Sequence, residues 1–79
     1  MIEVELYTRP GCHLCDVMKE TLSRASRGLD VRLTETNVES DSELERRYGN
    51  DVPVLLVNGE RAFAHRATER ELRLRLERG

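Results

Sequence analysis

Ile2-Glu3-Val4-Glu5-Leu6-Tyr7-Thr8-Arg9-Pro10-Gly11-Cys12-His13-Leu14-Cys15 contains a change of hydrophobic period, and that change sets the fold. Ile2, Val4 and Leu6 alternate with charged or polar neighbours, the period of two that a half-buried strand requires. Thr8-Arg9-Pro10-Gly11 interrupts the pattern with the two strongest backbone breakers. From Cys12 onward, Leu14, Cys15, Met18, Leu22 and Ala25 recur at three- and four-residue steps, which is one face of a helix. Gly28 is the expected stop. The chain therefore opens strand, loop, helix, with Cys-His-Leu-Cys where the loop becomes the helix.

That placement gives the two sulfurs a chemistry. Backbone amides at a helix start are unpaired and the macrodipole favours negative charge, so a Cys12 thiolate is stabilised over its thiol. Moving a cysteine from about 8.5 toward about 7 makes the thiolate a substantial fraction near neutral pH. Arg9 adds a fixed positive charge in the same loop. Cys15 falls on the apolar side of the helix, where burial favours the neutral thiol. Such a pair can run a two-thiol cycle, in which Cys12 attacks a disulfide and Cys15 resolves the mixed disulfide. The same pair is a poor structural staple, because a bridge three residues apart closes a tiny loop and removes little chain entropy. The spacing also occurs in zinc and iron–sulfur sites. A structural zinc, however, wants four N or S ligands, and the chain offers only His13 and His65 beside its two cysteines. No native metal site is expected. His13 reads as an exposed loop residue that tunes Cys12.

Further along, Leu29, Val31 and Leu33 alternate again, predicting a second strand to about Thr36. Ser40-Asp41-Ser42-Glu43 reads as a capping box opening a short helix that carries Leu44 and Tyr48 and ends at Gly49-Asn50. Val52 to Val57 is an apolar run too short for an ordinary helix, hence a buried strand, with Pro53 at its start because proline has no N–H to give the ladder. Asn58-Gly59 is a tight hairpin signal, and Arg61 to His65, with Phe63, is the antiparallel partner. Thr68-Glu69-Arg70-Glu71 is a second capping box. Leu72, Leu74 and Leu76 after it are spaced by two, but the cap and the strong helix formers favour a helix. The result is an α/β order, β-α-β-α-β-β-α. Right-handed crossover makes the first two strands parallel, and four strands flanked by three helices on both faces is the economical packing. Glu3 and Glu5 fit a covered central strand poorly, and are expected to reach past the second helix toward Arg46 or Arg47.

Composition limits the alternatives. With 79 residues the chain is expected to form a single domain, 1–79. Charged residues are 35% and the hydrophobic set 38%, the mean hydropathy is -0.60, and no run approaches the ~20 apolar residues of a membrane span. The first residues show no basic n-region and no cleavage site, so no secretory signal is expected. The net charge of -2 makes general nucleic-acid binding unfavourable. It is split: residues 1–60 hold 7 basic and 12 acidic groups, residues 61–79 hold 6 Arg and 3 Glu. The Arg-rich end reads as a solvated helix face. Two cysteines in an otherwise cysteine-free chain suit a reducing, cytoplasmic compartment.

Tyr7-Thr8-Arg9-Pro10-Gly11-Cys12-His13-Leu14-Cys15 and Tyr48-Gly49-Asn50-Asp51-Val52-Pro53-Val54-Leu55, in this element order, resemble the two signature regions of small glutaredoxin-like proteins of the thioredoxin superfamily. The resemblance covers nearly the whole chain. It implies a thioredoxin-like fold with a four-stranded mixed sheet, a cis bond between Val52 and Pro53 beside the cysteines, and pairing of the Val52 backbone with an extended thiol substrate. It implies Cys12 as nucleophile and Cys15 as resolving thiol, with Arg9 facing a glutathione carboxylate and Tyr7 at the same rim. The sequence departs from the family at Asp51, where a threonine is usual, at the His13-Leu14 pair, and at His65-Arg66-Ala67-Thr68-Glu69, which replaces a Gly-Gly-Asp stretch. The expected activity is thiol–disulfide oxidoreduction on protein or glutathione mixed disulfides, by a monomer with no bound cofactor, glutathione as a co-substrate, and a reductase system as partner. The alternatives are a dedicated redoxin donor recharged by a thioredoxin reductase, and a metal or iron–sulfur module using Cys12.

Overall fold

The opening alternation becomes β1, Ile2–Thr8, in the computed structural model, which describes residues 1–79. The elements that follow are α1 His13–Ala25, β2 Val31–Asn37, a 3-10 turn Val38–Ser40, α2 Ser42–Tyr48, β3 Val54–Val57, β4 Glu60–Ala64 and α3 Glu69–Arg78. The sheet order is β2-β1-β3-β4, with β1 parallel to β2 and β3 antiparallel to both β1 and β4. This is the predicted order and a thioredoxin-like fold.

Alternation along β1 decides which face closes. Val4 and Leu6 point to the side of α1 and α3 and join Met18, Leu22, Ala25, Leu55, Val57, Leu72 and Leu76 in the buried core. The last helix settles its own ambiguity. Leu72 and Leu76, four apart, are buried, whereas Leu74 is 53% exposed, which is helical and not strand geometry. Arg73 of α3 donates to the carbonyls of Ala25 and Arg27 at the end of α1, so the Arg-rich segment is not solely a solvated face. α2 buries no residue and lies on the opposite face, held there by the Tyr48 ring stacked on Tyr7 with centroids 4.5 Å apart.

Several sequence expectations shift. β2 begins at Val31, leaving Leu29 to pack on the core outside the strand, and Leu33 is 41% exposed. β2 is an edge strand, and the fully buried strand residues of the core come from β1 and β3. The cap of α2 is Asp41, accepting from Glu43 N, and not Ser40. Ser40 is used one step earlier, its hydroxyl donating to Asn37 O within the 3-10 turn. β3 begins only at Val54, since Pro53 cannot donate to the ladder. β4 runs Glu60–Ala64 and ends before His65, whose φ of 67° leaves the extended region. Asn58 and Gly59 both have positive φ, as the tight hairpin demands. Glu3 and Glu5 do not reach α2. Glu3 lies 3.8 Å from its parallel neighbour Arg32, and Glu5 accepts from the Tyr7 hydroxyl at 3.0 Å, because residues two apart on a strand share a face.

Candidate functional site

The register Tyr7↔Val54 brings the end of β1 and the start of β3 to one end of the sheet. The Arg9–Cys12 loop leaves from that end, and Val52–Pro53 enters there. The Val52–Pro53 peptide bond is cis. His65 N donates to Pro53 O at 2.8 Å, which draws the β4–α3 connection to the same place. Three chain segments far apart in sequence therefore meet where the cysteines sit.

Cys12 is the N-cap of α1 and not its first helical residue, with extended φ and ψ of -91° and 106°. Its Sγ accepts a hydrogen bond from Cys15 N at 3.1 Å, the contact a serine or aspartate oxygen makes at ordinary helix starts. An amide aimed at the sulfur lowers the cost of negative charge there. The two cysteines are joined as a disulfide with Cα atoms 5.3 Å apart. Cys15 is 3% exposed and turns into the core side of α1, while Cys12 is half-buried. Cys12 is the more approachable of the two.

Arg9 is placed differently from the expectation. Its guanidinium donates to Glu39 Oε2 at 3.0 Å, Glu45 Oε1 at 2.7 Å and Gly49 O at 2.9 Å. The hydrogen bond it donates to Glu45, and then that to Glu39, hold its pKa above the ordinary arginine value. It is a strut between the cysteine loop and α2, with its charge met by two carboxylates, and not a free cation beside Cys12. Gly49 makes room for the strut, since a Cβ there would lie 2.8 Å from Arg9 Nη2. The second oxygen of Glu45 is buried without a hydrogen-bond partner, so Arg9 is the group that compensates this carboxylate.

Tyr7 also goes to packing. Its ring stacks on Tyr48 and its hydroxyl donates to Glu5, and burial first, then that hydrogen bond, raise its pKa above 10.0. Asp51, which precedes Val52, accepts from Arg61 Nη2 at 3.2 Å and lies 3.7 Å from His65 Nε2. The sequence names Arg61 and His65 but pairs neither with Asp51. Asp51 to His65 is a tertiary contact across the β3–β4 hairpin, with no local pattern to announce it. A groove of about 510 Å³ runs from His13 and Leu14, between the cysteines, past Val17 and Met18 to Arg66 and Glu71. Leu14 thus lines an opening and does not complete the core. No group of three or more His, Cys, Asp or Glu side chains is gathered to hold a metal ion.

Residues 3–77 match the family described as Glutaredoxin-like domain (DUF836). A curated protein of Dictyostelium discoideum, the glutaredoxin-like protein YDR286C homolog, is 34% identical over 96% of this chain and 76% of its own. The X-ray structure of the structural-genomics target XcR50 from X. campestris is 33% identical and superposes with a TM-score of 0.82, over 96% of this chain and 97% of that one. Oxidised mitochondrial thioredoxin 3 from Saccharomyces cerevisiae, at 14% identity, shares the fold with a TM-score of 0.72 over 99% of this chain and 78% of its own.

Proposed function

The chain belongs to the glutaredoxin-like domain family, and from that premise we propose that it is a thiol–disulfide oxidoreductase whose nucleophile is Cys12 and whose resolving thiol is Cys15. In the reduced protein, the Cys12 thiolate attacks one sulfur of a substrate disulfide. A Cys12–substrate disulfide forms and the other substrate sulfur leaves as a thiolate that takes up a proton. Cys15 loses its proton and attacks Cys12 Sγ, so the second substrate thiolate leaves and the Cys12–Cys15 disulfide closes. Two electrons pass from the dithiol to the substrate, which leaves as two thiols. An external dithiol or thiol reductant must then reopen the bridge.

The observation that carries this reading is the Cys15 N–H donated to Cys12 Sγ at the start of α1. It favours the thiolate on the approachable sulfur, while the burial of Cys15 keeps the second one back until a mixed disulfide brings an electrophile to it. Val52, half-buried and joined by a cis bond to the buried Pro53 at the same sheet end, is the backbone we assign to pairing with an extended substrate. Two cysteines and no others suit a reducing compartment, which supports a cytoplasmic protein served by a reductase. The test is a pair of variants with a small aromatic disulfide as probe. Cys15→Ser should accumulate one mixed disulfide, located on Cys12 by peptide mass spectrometry, and Cys12→Ser should release no thiol. Equal turnover by both variants would overturn the division of roles.

A further inference from the structure

We propose that Glu39 and Glu45 set substrate choice by occupying Arg9, so that the dithiol selects disulfides flanked by neutral or cationic groups, polypeptide ones foremost, over anionic disulfides. The inference rests on the redox reading above and specifies its substrate class.

Arg9 stands three residues before the nucleophile and is the one cation of the cysteine loop. Were its guanidinium free, an incoming carboxylate would gain from it. Instead it is held by two carboxylates and a carbonyl, and the close fit of Gly49 keeps it there. The strut carries one positive charge against two negative ones. Neither opening beside the cysteines carries an excess of fixed positive charge. The small one of about 270 Å³ against Cys15 is lined by Arg9, Asp16 and Glu35 among others, and Glu35 is shared with Lys19 at 3.2 Å. The larger groove presents Arg66 and Glu71, one of each sign. Asp51 precedes the Val52 backbone with its charge directed to Arg61 and His65. At the start of α3 the Glu71 carboxylate is already seated on the Thr68 amide in a reciprocal capping box, so an incoming anion meets a negative charge there. A ligand with more carboxylates than ammonium groups finds Arg9, the cation of the cysteine loop, already met by two carboxylates, while a neutral or cationic one loses nothing.

Three probes separate the cases: glutathione disulfide, in which each half carries two carboxylates against one ammonium, neutral hydroxyethyl disulfide, and cationic cystamine. The pre-reduced protein is freed of reductant and its oxidation rate with each probe is measured, every ratio being referred to the same ratio for free dithiothreitol. Cystamine should exceed hydroxyethyl disulfide and glutathione disulfide should fall below it, with the spread narrowing as salt is added. Glu45→Gln with Glu39→Gln should then raise the glutathione-to-hydroxyethyl ratio by roughly threefold per charge removed, the factor for a unit charge near 6 Å in water. Glu39→Gln alone, at a more exposed position, should give a smaller rise and guards against a misfolded double variant. A glutathione preference in the unaltered protein, or ratios that neither variant moves, would overturn the inference while leaving the redox reading standing. Oxidation by none of the three probes would overturn both.

Discussion

The molecule begins two of its helices in ways that invite comparison. α3 opens on Thr68, whose hydroxyl accepts from Glu71 N at 3.0 Å while Glu71 Oε1 accepts from Thr68 N at 2.9 Å. Each acceptor is oxygen, two orphan donors are met reciprocally, and nothing there is reactive. α1 opens on Cys12, whose sulfur accepts the amide of Cys15 and has no reciprocal carboxylate. Sulfur is the weaker acceptor, so α1 gives up capping strength. In return the amide points at an atom able to carry charge. One helix start is built to hold and the other to react.

Exchanging the caps is the most drastic way to break that contrast. Cys12→Ser should abolish disulfide exchange altogether yet keep α1, because serine is a strong N-cap. A stopped-flow exchange assay, with circular dichroism for the helix, reads both. Next in size, Gly49→Ala forces a methyl against Arg9 Nη2 and the Glu45 carbonyl. Overpacking of this kind costs about 1–3 kcal/mol, to be read from urea unfolding. Thr68→Ala should cost about 1 kcal/mol and leave the exchange rate unchanged. A fall in rate comparable to the fall in stability would mean that the two helix starts are not separate devices.

The smallest effect concerns alkaline pH. The Tyr7 pKa is raised in the folded protein, so its contribution to stability is fully present below 10.0 and is lost as pH rises through the higher folded value. Tyr7→Phe should flatten that alkaline decline in unfolding free energy while keeping the stack on Tyr48. An unchanged slope would show that the phenol is not the group that titrates.

What the residues announce and what they conceal follow a physical line. The alternation of Val4 and Leu6, the spacing of Met18 and Leu22, the Asn58-Gly59 turn and the Thr68 box are local, with periods or offsets fixed by backbone geometry, and each forms as read. The Cys12–Cys15 pair was legible for the same reason. Side chains that bridge distant elements were not. Arg9 in its loop reads as a positive charge near Cys12, and only the fold brings Glu39, Glu45 and Gly49 around it. Glu5 accepts from Tyr7 and does not reach Arg46 or Arg47, because a partner two residues away on the same strand face competes with any longer reach. Ser40 failed as a cap because a 3-10 turn had already claimed its hydroxyl.

With Arg9 compensated, the reactivity of Cys12 depends on the backbone at the start of α1, and that dependence can be measured by itself. In the Cys15→Ser variant, the rate of Cys12 alkylation by iodoacetamide is followed against pH. The account predicts a plateau reached at a lower pH than for a free cysteine, which ionises near about 8.5. A half-maximum at or above that value would contradict it.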